Sequence, residues 1–392
     1  MLSVLNRARK SLGHIVIAAA SMVLAACVPA AGPTAAGGGA VSGKVQVALL
    51  VPGGSGQASD ELLARSLQNA ARMAITDLGG AAKVDLRVYN TAGQPAQAAA
   101  MATKAVAEGA QIILGPVFAQ EANAAGVAVA ASGVNVLAFS NNPDIAGNNV
   151  FVLGPTFGNT AGRLASYAVR QGKAKVMIVH DRNTAGEQGR AAIAAGVAAA
   201  GGQVVSTGSY EFSQNGVMTA APGIASAAKS SGAQAVFLTA DTAGALPLVS
   251  QLLADNGLSS ASTQFVGLTR WDIPAATLAL PGVQGGWFAL PDPALYQQYQ
   301  SRYQASFNEP PHPISGLAYD GIAAIGALMK TAKGGPISKQ ALTQGAGFVG
   351  VNGIFRLRPD GTNQRGLAIA QIRGGQSVVV DPAPRSFGGT GF

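Results

Sequence analysis

Cysteine occurs once, at Cys27, so no intramolecular disulfide is possible and an exported form of the chain must be held by its apolar core alone. Histidine occurs three times, at His14, His180 and His312, with no second His or Cys at ligand spacing, which argues against a structural metal site. Aromatic residues make up 6% of the chain and charged residues 11%. Lysines and arginines are scattered, and no cluster of them interleaves with aromatics, so the formal charge of +8 does not point to a nucleic acid. No Gly-x-Ser-x-Gly elbow, H-E-x-x-H helix or Walker loop is present. The turn Pro52-Gly53-Gly54-Ser55-Gly56 lacks the Lys-Ser/Thr ending of a phosphate loop. It reads as a strand-to-helix turn whose N–H groups could still face an anion. Neither an enzyme nor a metal or cofactor is expected.

What the chain does have begins at its N-terminus. Arg7, Arg9 and Lys10 precede an apolar run, Ile15 to Ala26, too short to span a bilayer. The ending Leu24-Ala25-Ala26-Cys27 resembles the lipobox of a bacterial lipoprotein. That resemblance implies cleavage before Cys27 and acylation of its thiol, giving a tethered rather than integral protein. The alternative is an ordinary secretory signal with an incidental cysteine. Removing the 26-residue leader from 392 residues leaves 366, about two domains' worth of chain. The leader holds three basic and no acidic residues, so the formal charge falls to about +5. Residues 27–43, rich in Pro, Ala and Gly, read as a flexible tether.

From Lys44 onward, strand-like runs alternate with amphipathic helices, the pattern of parallel sheets with helices on both faces. Val45–Val51 is almost wholly apolar, as a strand buried on both faces should be. Ser59 or Asp60 is expected to cap the next helix, whose Leu63, Leu67, Ala70, Ala71, Ala74 and Leu78 share one stripe before Gly79-Gly80 ends it. A second series of the same kind opens after Gly154-Pro155, with a helix expected at 243–256. A strand at 283–289, helices at 294–307 and 314–330, and antiparallel strands from Gly353 to Val380 close the chain.

Taken in order, several blocks resemble type 1 periplasmic binding proteins, the two-lobed leucine-binding fold. They are Val47–Pro52, Ile113–Val117, Val136–Ser140, Leu317-Ala318-Tyr319-Asp320-Gly321 and Phe348–Leu357. The resemblance implies an α/β fold of two lobes, each a parallel sheet with helices on both faces, joined by multiple crossovers. Lobe 1 is expected to comprise 44–154 plus 286–344, and lobe 2 to comprise 155–285 plus 345–382. Residues 383–392 would form a disordered tail.

Within that fold, Leu114–Ala119, Asn135–Asn142 and the ending Phe355–Gly361 with Arg365–Ala368 resemble the penicillin-binding protein activator lipoproteins. That family is implied to assist a peptidoglycan synthase, a penicillin-binding protein, by contact and without catalysis. No helical-repeat domain precedes Lys44, unlike the long enterobacterial type. An exposed aromatic patch would suit such contact, with Trp287, Phe288, Tyr296, Tyr299 and Tyr303 as candidates. The tyrosines share one helix face, which can equally pack on the lobe core.

The rival reading is a solute-binding lipoprotein of an amino-acid ABC importer, with an amino-acid-like or muropeptide ligand in the cleft. In open α/β lobes the ligand sits beyond the carboxyl ends of the strands. That places Ser55, Gly115, Ser140, Asn141, Asp181, Arg182, Thr239, Asp241, Arg270 and Trp271 among the cleft candidates. Ser140, Thr239 and Asp241 can supply part of an amino-acid pocket. Arg182, or Arg270 beside Trp271, can instead meet an acidic or sugar-bearing group, or simply be a solvated edge charge or a packed aromatic. Asp320 reads as a group that caps or orients its helix.

The expected location is the periplasmic side of the envelope. Val28 follows Cys27 where enteric lipoproteins retained at the inner membrane carry an aspartate, so the outer membrane is the expected anchor site. Because acylation requires the thiol, Cys27→Ser should release the body from membranes or leave uncleaved precursor. Membrane fractionation checks this, and a membrane-bound mutant of mature mass would refute it.

Overall fold

The computed structural model describes residues 44–80, 83–329 and 337–388. Cys27, the leader and the tether lie outside the described residues. The first sheet grows around β1 (Val45–Val51), flanked on both sides, with Val47 to Val51 fully buried. Its alternate side chains go to two different cores. Val45, Val47, Leu49 and Val51 pack with helix α1 (Ala58–Asp77), and Ala48 and Leu50 join the opposite layer. The chain continues through β2 (Val84–Asn90), α2 (Pro95–Ala107), β3 (Ile112–Leu114), α3 (Ala119–Val129), β4 (Val136–Ala138) and β5 (Val150–Val152). The strands pair in parallel in the order β2-β1-β3-β4-β5. Helix α1 starts one turn earlier than its expected caps. Gln57 is its N-cap, and Glu61 accepts the Gly54 N–H at 2.6 Å, so the acidic side chain holds the preceding turn instead.

The second lobe repeats the grammar: α4 (Phe157–Arg170), β6 (Lys175–Asp181), α5 (Thr184–Ala199), β7 (Gln203–Tyr210), α6 (Gln214–Ser230), β8 (Ala235–Leu238), α7 (Leu246–Asp255), β9 (Gln264–Gly267) and β10 (Trp287–Leu290). A Thr156/Asn159 capping box opens α4, and Asn183 and Ser213 cap α5 and α6. Helix α7 begins three residues later than expected, since Pro247 suits a first turn. Strand β10 also starts late, after a 3₁₀ turn at Pro281–Val283 and Gly285 at φ +76°.

Then come α8 (Pro293–Phe307), α9 (Gly316–Met329), α10 (Lys339–Leu342), β11 (Phe348–Gly350), β12 (Gly353–Leu357), β13 (Asn363–Arg365), β14 (Ala368–Arg373) and β15 (Gln376–Asp381). The second sheet runs β15-β14-β10-β9-β8-β6-β7, parallel except where β14 and β15 add antiparallel.

Three expected boundaries move. Residues 287–290 were expected in lobe 1 but pair with β9 and β14, because Trp287 and Ala289 fill one core of lobe 2 while Phe288 and Leu290 fill the other. The crossing back to lobe 1 therefore falls between Leu290 and Pro293. Residues 348–365 were expected in lobe 2. They form a separate three-stranded sheet whose Phe348, Phe355 and Leu357 join the lobe 1 core. Residues 383–388 were expected to be disordered, yet Ala383 is buried and the Arg356 guanidinium lies 4.6 Å from the Phe387 ring centre.

Two of the three crossings meet at one ion pair. Asp320 of α9 and Arg365 of β13 lie 3.2 Å apart with side chains 0% and 2% exposed. Asp320 also accepts the Val351 N–H at 2.8 Å and the Asn352 amide at 3.0 Å. The Arg365 Nε–H donates to the Leu153 carbonyl at 2.8 Å, in the first crossing, and its guanidinium stacks over Phe355 at 5.0 Å. Next to it, Asn363 donates to the Val152 and Gly154 carbonyls at 2.7 and 2.9 Å. Burial pushes the Asp320 carboxyl up and the Arg365 guanidinium down, each opposed by the other's charge and by hydrogen bonds. A Cβ at Gly350 would sit 2.0 Å from the Asp320 carboxylate, so only glycine fits there. Asp320→Ala, which leaves Arg365 buried and uncompensated, should destabilise the protein by about 3–5 kcal/mol in urea denaturation.

Candidate functional site

The strand carboxyl ends of the two lobes face each other. Asp144, which follows β4, accepts the Gln188 amide of α5 at 3.1 Å across the gap. On the other flank Leu268, Arg270 and Ile273, which follow β9, line a cavity of about 190 Å³ together with Pro313, Ile314 and Leu317 of lobe 1. A groove of about 910 Å³ runs from Asn141, Asn142 and Asp144 past Thr156 and Gln188 to Arg358. The lobes thus form a cleft lined by loops, bounded at its base by the hinge.

On the lobe 1 wall the expected residues serve mainly to shape loops. Ser55 is half-buried and its Oγ accepts the Gln57 N–H at 3.1 Å. Gly115 has φ +90°, and a Cβ there would meet the Leu50 carbonyl at 2.2 Å, so it is a packing requirement rather than a ligand contact. Ser140 is buried, accepts the Asn142 N–H at 3.1 Å, and receives the Gly154 N–H on its carbonyl. Asn141 is exposed and lines the large groove. The helices behind this wall, α1 and α3, both direct their N-termini toward the cleft, because each follows the carboxyl end of a strand.

The lobe 2 wall carries the ionisable groups. Asp181 ends β6 and is 7% exposed. Its carboxylate accepts the Thr239 hydroxyl at 2.7 Å and the Asn183 amide. Thr239 and Asp181 come from loops 58 positions apart that the β6–β8 pairing brings together. Asp241 is exposed two residues further on. Arg182, exposed, donates to Glu211 at 2.8 Å and to Ser209 at 3.1 Å, which makes it an edge charge already engaged. Arg270 is paired in fork geometry with Asp272, with Nε to Oδ1 at 2.6 Å.

Trp271 is not a cleft residue. It is fully buried in a slot between Gly267 and Gly286, where a Cβ would stand 2.2 and 2.3 Å from the indole. The expected partner surface fails in the same way. Trp287 is 7% exposed and meets Tyr167 edge-on at 4.8 Å, and Phe288 is 0% exposed. Tyr299 and Tyr303 are 1% and 0% exposed, with hydroxyls bonded to Ser315 at 2.6 Å and Ser66 at 3.2 Å. Tyr296 is half-buried and donates to the Pro313 carbonyl at 3.3 Å. The stripe faces α1 and α9 because the lobe 1 core needs large side chains where α1 offers mostly alanines.

Asn183 and Phe118 fall in strand-end loops expected at the cleft, whereas Gln188 of α5 and the exposed Phe212 were not anticipated. Phe118 is the N-cap of α3, and Phe212 stands just ahead of the Ser213 cap of α6. Among the described residues no three of His, Cys, Asp and Glu gather as a metal ion would require.

Two lobes around a loop-lined cleft, joined by three crossings, make the hinged two-lobed architecture of a binding-protein fold. The periplasmic binding protein family model matches residues 44–376, and the chain belongs to that family. A search of curated proteins finds no match. Among solved structures it is similar to a putative branched-chain amino acid ABC transporter protein from Rhodospirillum rubrum, at 18% identity and TM-score 0.72, covering 86% of this chain and 100% of that one. It is also similar to an ABC transporter substrate-binding protein from Desulfitobacterium hafniense in complex with Leu, at 17% identity and TM-score 0.64, covering 86% and 100%. A third is the solute-binding protein of an ABC transporter from Rhodopseudomonas palustris BisB5 in complex with 3,4-dihydroxybenzoic acid, at 18% identity and TM-score 0.58, covering 87% and 98%.

If the aromatics are core rather than surface, Trp287→Ala and Tyr303→Ala should each destabilise the protein by about 3–5 kcal/mol, whereas a surface role predicts shifts within about half a kcal/mol. Thermal or urea unfolding distinguishes the two.

Proposed function

We propose that this chain is a solute-binding protein that captures an amino-acid-like molecule in its cleft and presents it to an ABC importer. The observation that carries the reading is Asp181. It is a buried carboxylate at a strand end, held by Thr239 and Asn183, and the facing wall of the cleft carries two helix N-termini. A zwitterion suits both walls at once, its ammonium against the carboxylate and its carboxylate against the N–H groups and positive ends of α1 and α3. The Leu complex of the Desulfitobacterium protein supports an amino-acid ligand by likeness of fold.

Regulation of a penicillin-binding protein loses its structural support, since the aromatic surface proposed for it is core. The periplasm is the compartment of the family, and we propose attachment there through an acylated Cys27, with the outer membrane as the anchor site.

The test is a thermal-shift panel of amino acids with muropeptides alongside. A true ligand at a hundredfold excess over its dissociation constant should stabilise the protein by about 2.7 kcal/mol. A flat amino-acid panel would overturn solute capture, and stabilisation by a muropeptide alone would return the cell-wall reading.

A further inference from the structure

The cleft is apolar at its mouth. Eight large hydrophobic side chains are exposed among the described residues, and five of them lie at the ligand-facing ends of the lobes: Leu62, Phe118, Phe212, Met218 and Ile273. Phe118 and Phe212 are the two aromatics in that set, 41% and 57% exposed in a chain with few aromatics to place anywhere. Both rings approach a neighbouring loop at a glycine. The Phe118 ring is 3.5 Å from where a Cβ of Gly93 would be, and the Phe212 ring 3.3 Å from that of Gly244. Rings backed by glycine are held in place while their outer faces stay open. They stand on opposite walls, Phe118 after β3 and Phe212 after β7.

The lobe 2 wall is also acidic, although the chain is basic. On lobe 2 the two arginines are neutralised by Glu211 and Asp272, which leaves Asp181 and Asp241 without an ion-pair partner among the described residues. A second observation points at the same place. The Tyr210 residue is 1% exposed, its hydroxyl has no hydrogen-bond partner among the described residues, and after burial the largest influences on it are Asp181 and Asp241. An unsatisfied hydroxyl behind two uncompensated carboxylates is the arrangement that a bound ammonium would complete.

We propose that the solute is an aromatic amine, with an aromatic amino acid as its zwitterionic case. Its ring is clasped between Phe118 and Phe212 as the lobes close, and its ammonium meets Asp181 and Asp241. The inference rests on the solute-capture reading and adds the substrate class. Stacked rings and a cation near aromatic faces add to area burial, and the carboxylates exclude anionic analogues.

Isothermal titration calorimetry of the full chain with four probes tests it: phenylethylamine, L-phenylalanine, L-leucine and phenylacetate. The expected result is binding of the first two, weaker binding of L-leucine and none of phenylacetate. Phe212→Ala and Phe118→Ala, both exposed and so expected to fold, should each weaken L-phenylalanine about tenfold with little change for L-leucine. Asp181→Asn should weaken both amino acids. L-leucine binding as tightly as L-phenylalanine, with both phenylalanine variants silent, overturns the aromatic class and leaves amino-acid capture standing. Preference for phenylacetate overturns the acidic-cleft argument. Failure of all three amines overturns the inference, and it reaches the solute reading only if the wider amino-acid panel is also flat.

Discussion

The Asp320–Arg365 pair is the constraint on which the two lobes depend. Two chain crossings and the turn at 351–352 meet at one place, and they bring backbone carbonyls and N–H groups that need partners there. Arg365 and Asn363 take the carbonyls of 152–154, while Asp320 takes the N–H groups of 351–352. An apolar replacement could fill the volume but would leave those backbone groups unsatisfied. The pair is therefore better understood as a junction that fixes how two crossings pass one another than as a source of net stability, which buried pairs seldom provide.

The richness in glycine and alanine has a comparable structural logic. A Cβ on Gly196 would stand 2.9 Å from the Ala161 backbone, and one on Gly126 would collide with Val150 at 2.2 Å. Helices α4 and α5 therefore approach through small residues, and α3 settles directly onto β5. Close packing of backbones keeps a core tight in a chain with few aromatics and no disulfide. It also concentrates the large side chains where layers are thicker, which is why the tyrosines of α8 are consumed by the lobe 1 core.

Much of the fold was legible because strand and helix periodicities differ so clearly in this chain. Val45–Val51 is apolar on both faces and is the buried strand it was expected to be, flanked by β2 and β3. The errors fell where local pattern carries no information about partners. Residues 287–290 look like any short strand, and only their pairing with β9 and β14 assigns them to lobe 2. Trp271 looked available because it sits in a loop after a strand, but Gly267 and Gly286 open a slot that receives it. Asp181 and Thr239 were legible as strand-end polar residues, although their hydrogen bond depends on strand order. Phe118 and Phe212 carried little signal, since an exposed aromatic and a buried one are identical in sequence.

The placement of tryptophan gives the molecule an uneven optical signature. Both indoles, Trp271 and Trp287, belong to the second lobe, and both are buried there. Tryptophan emission therefore reports on lobe 2 alone, since the aromatics inside lobe 1 are phenylalanines and tyrosines. If the lobes melt separately, emission will follow one of them while circular dichroism follows both. Any gap between the two traces would measure how far the hinge transmits cooperativity from one lobe to the other.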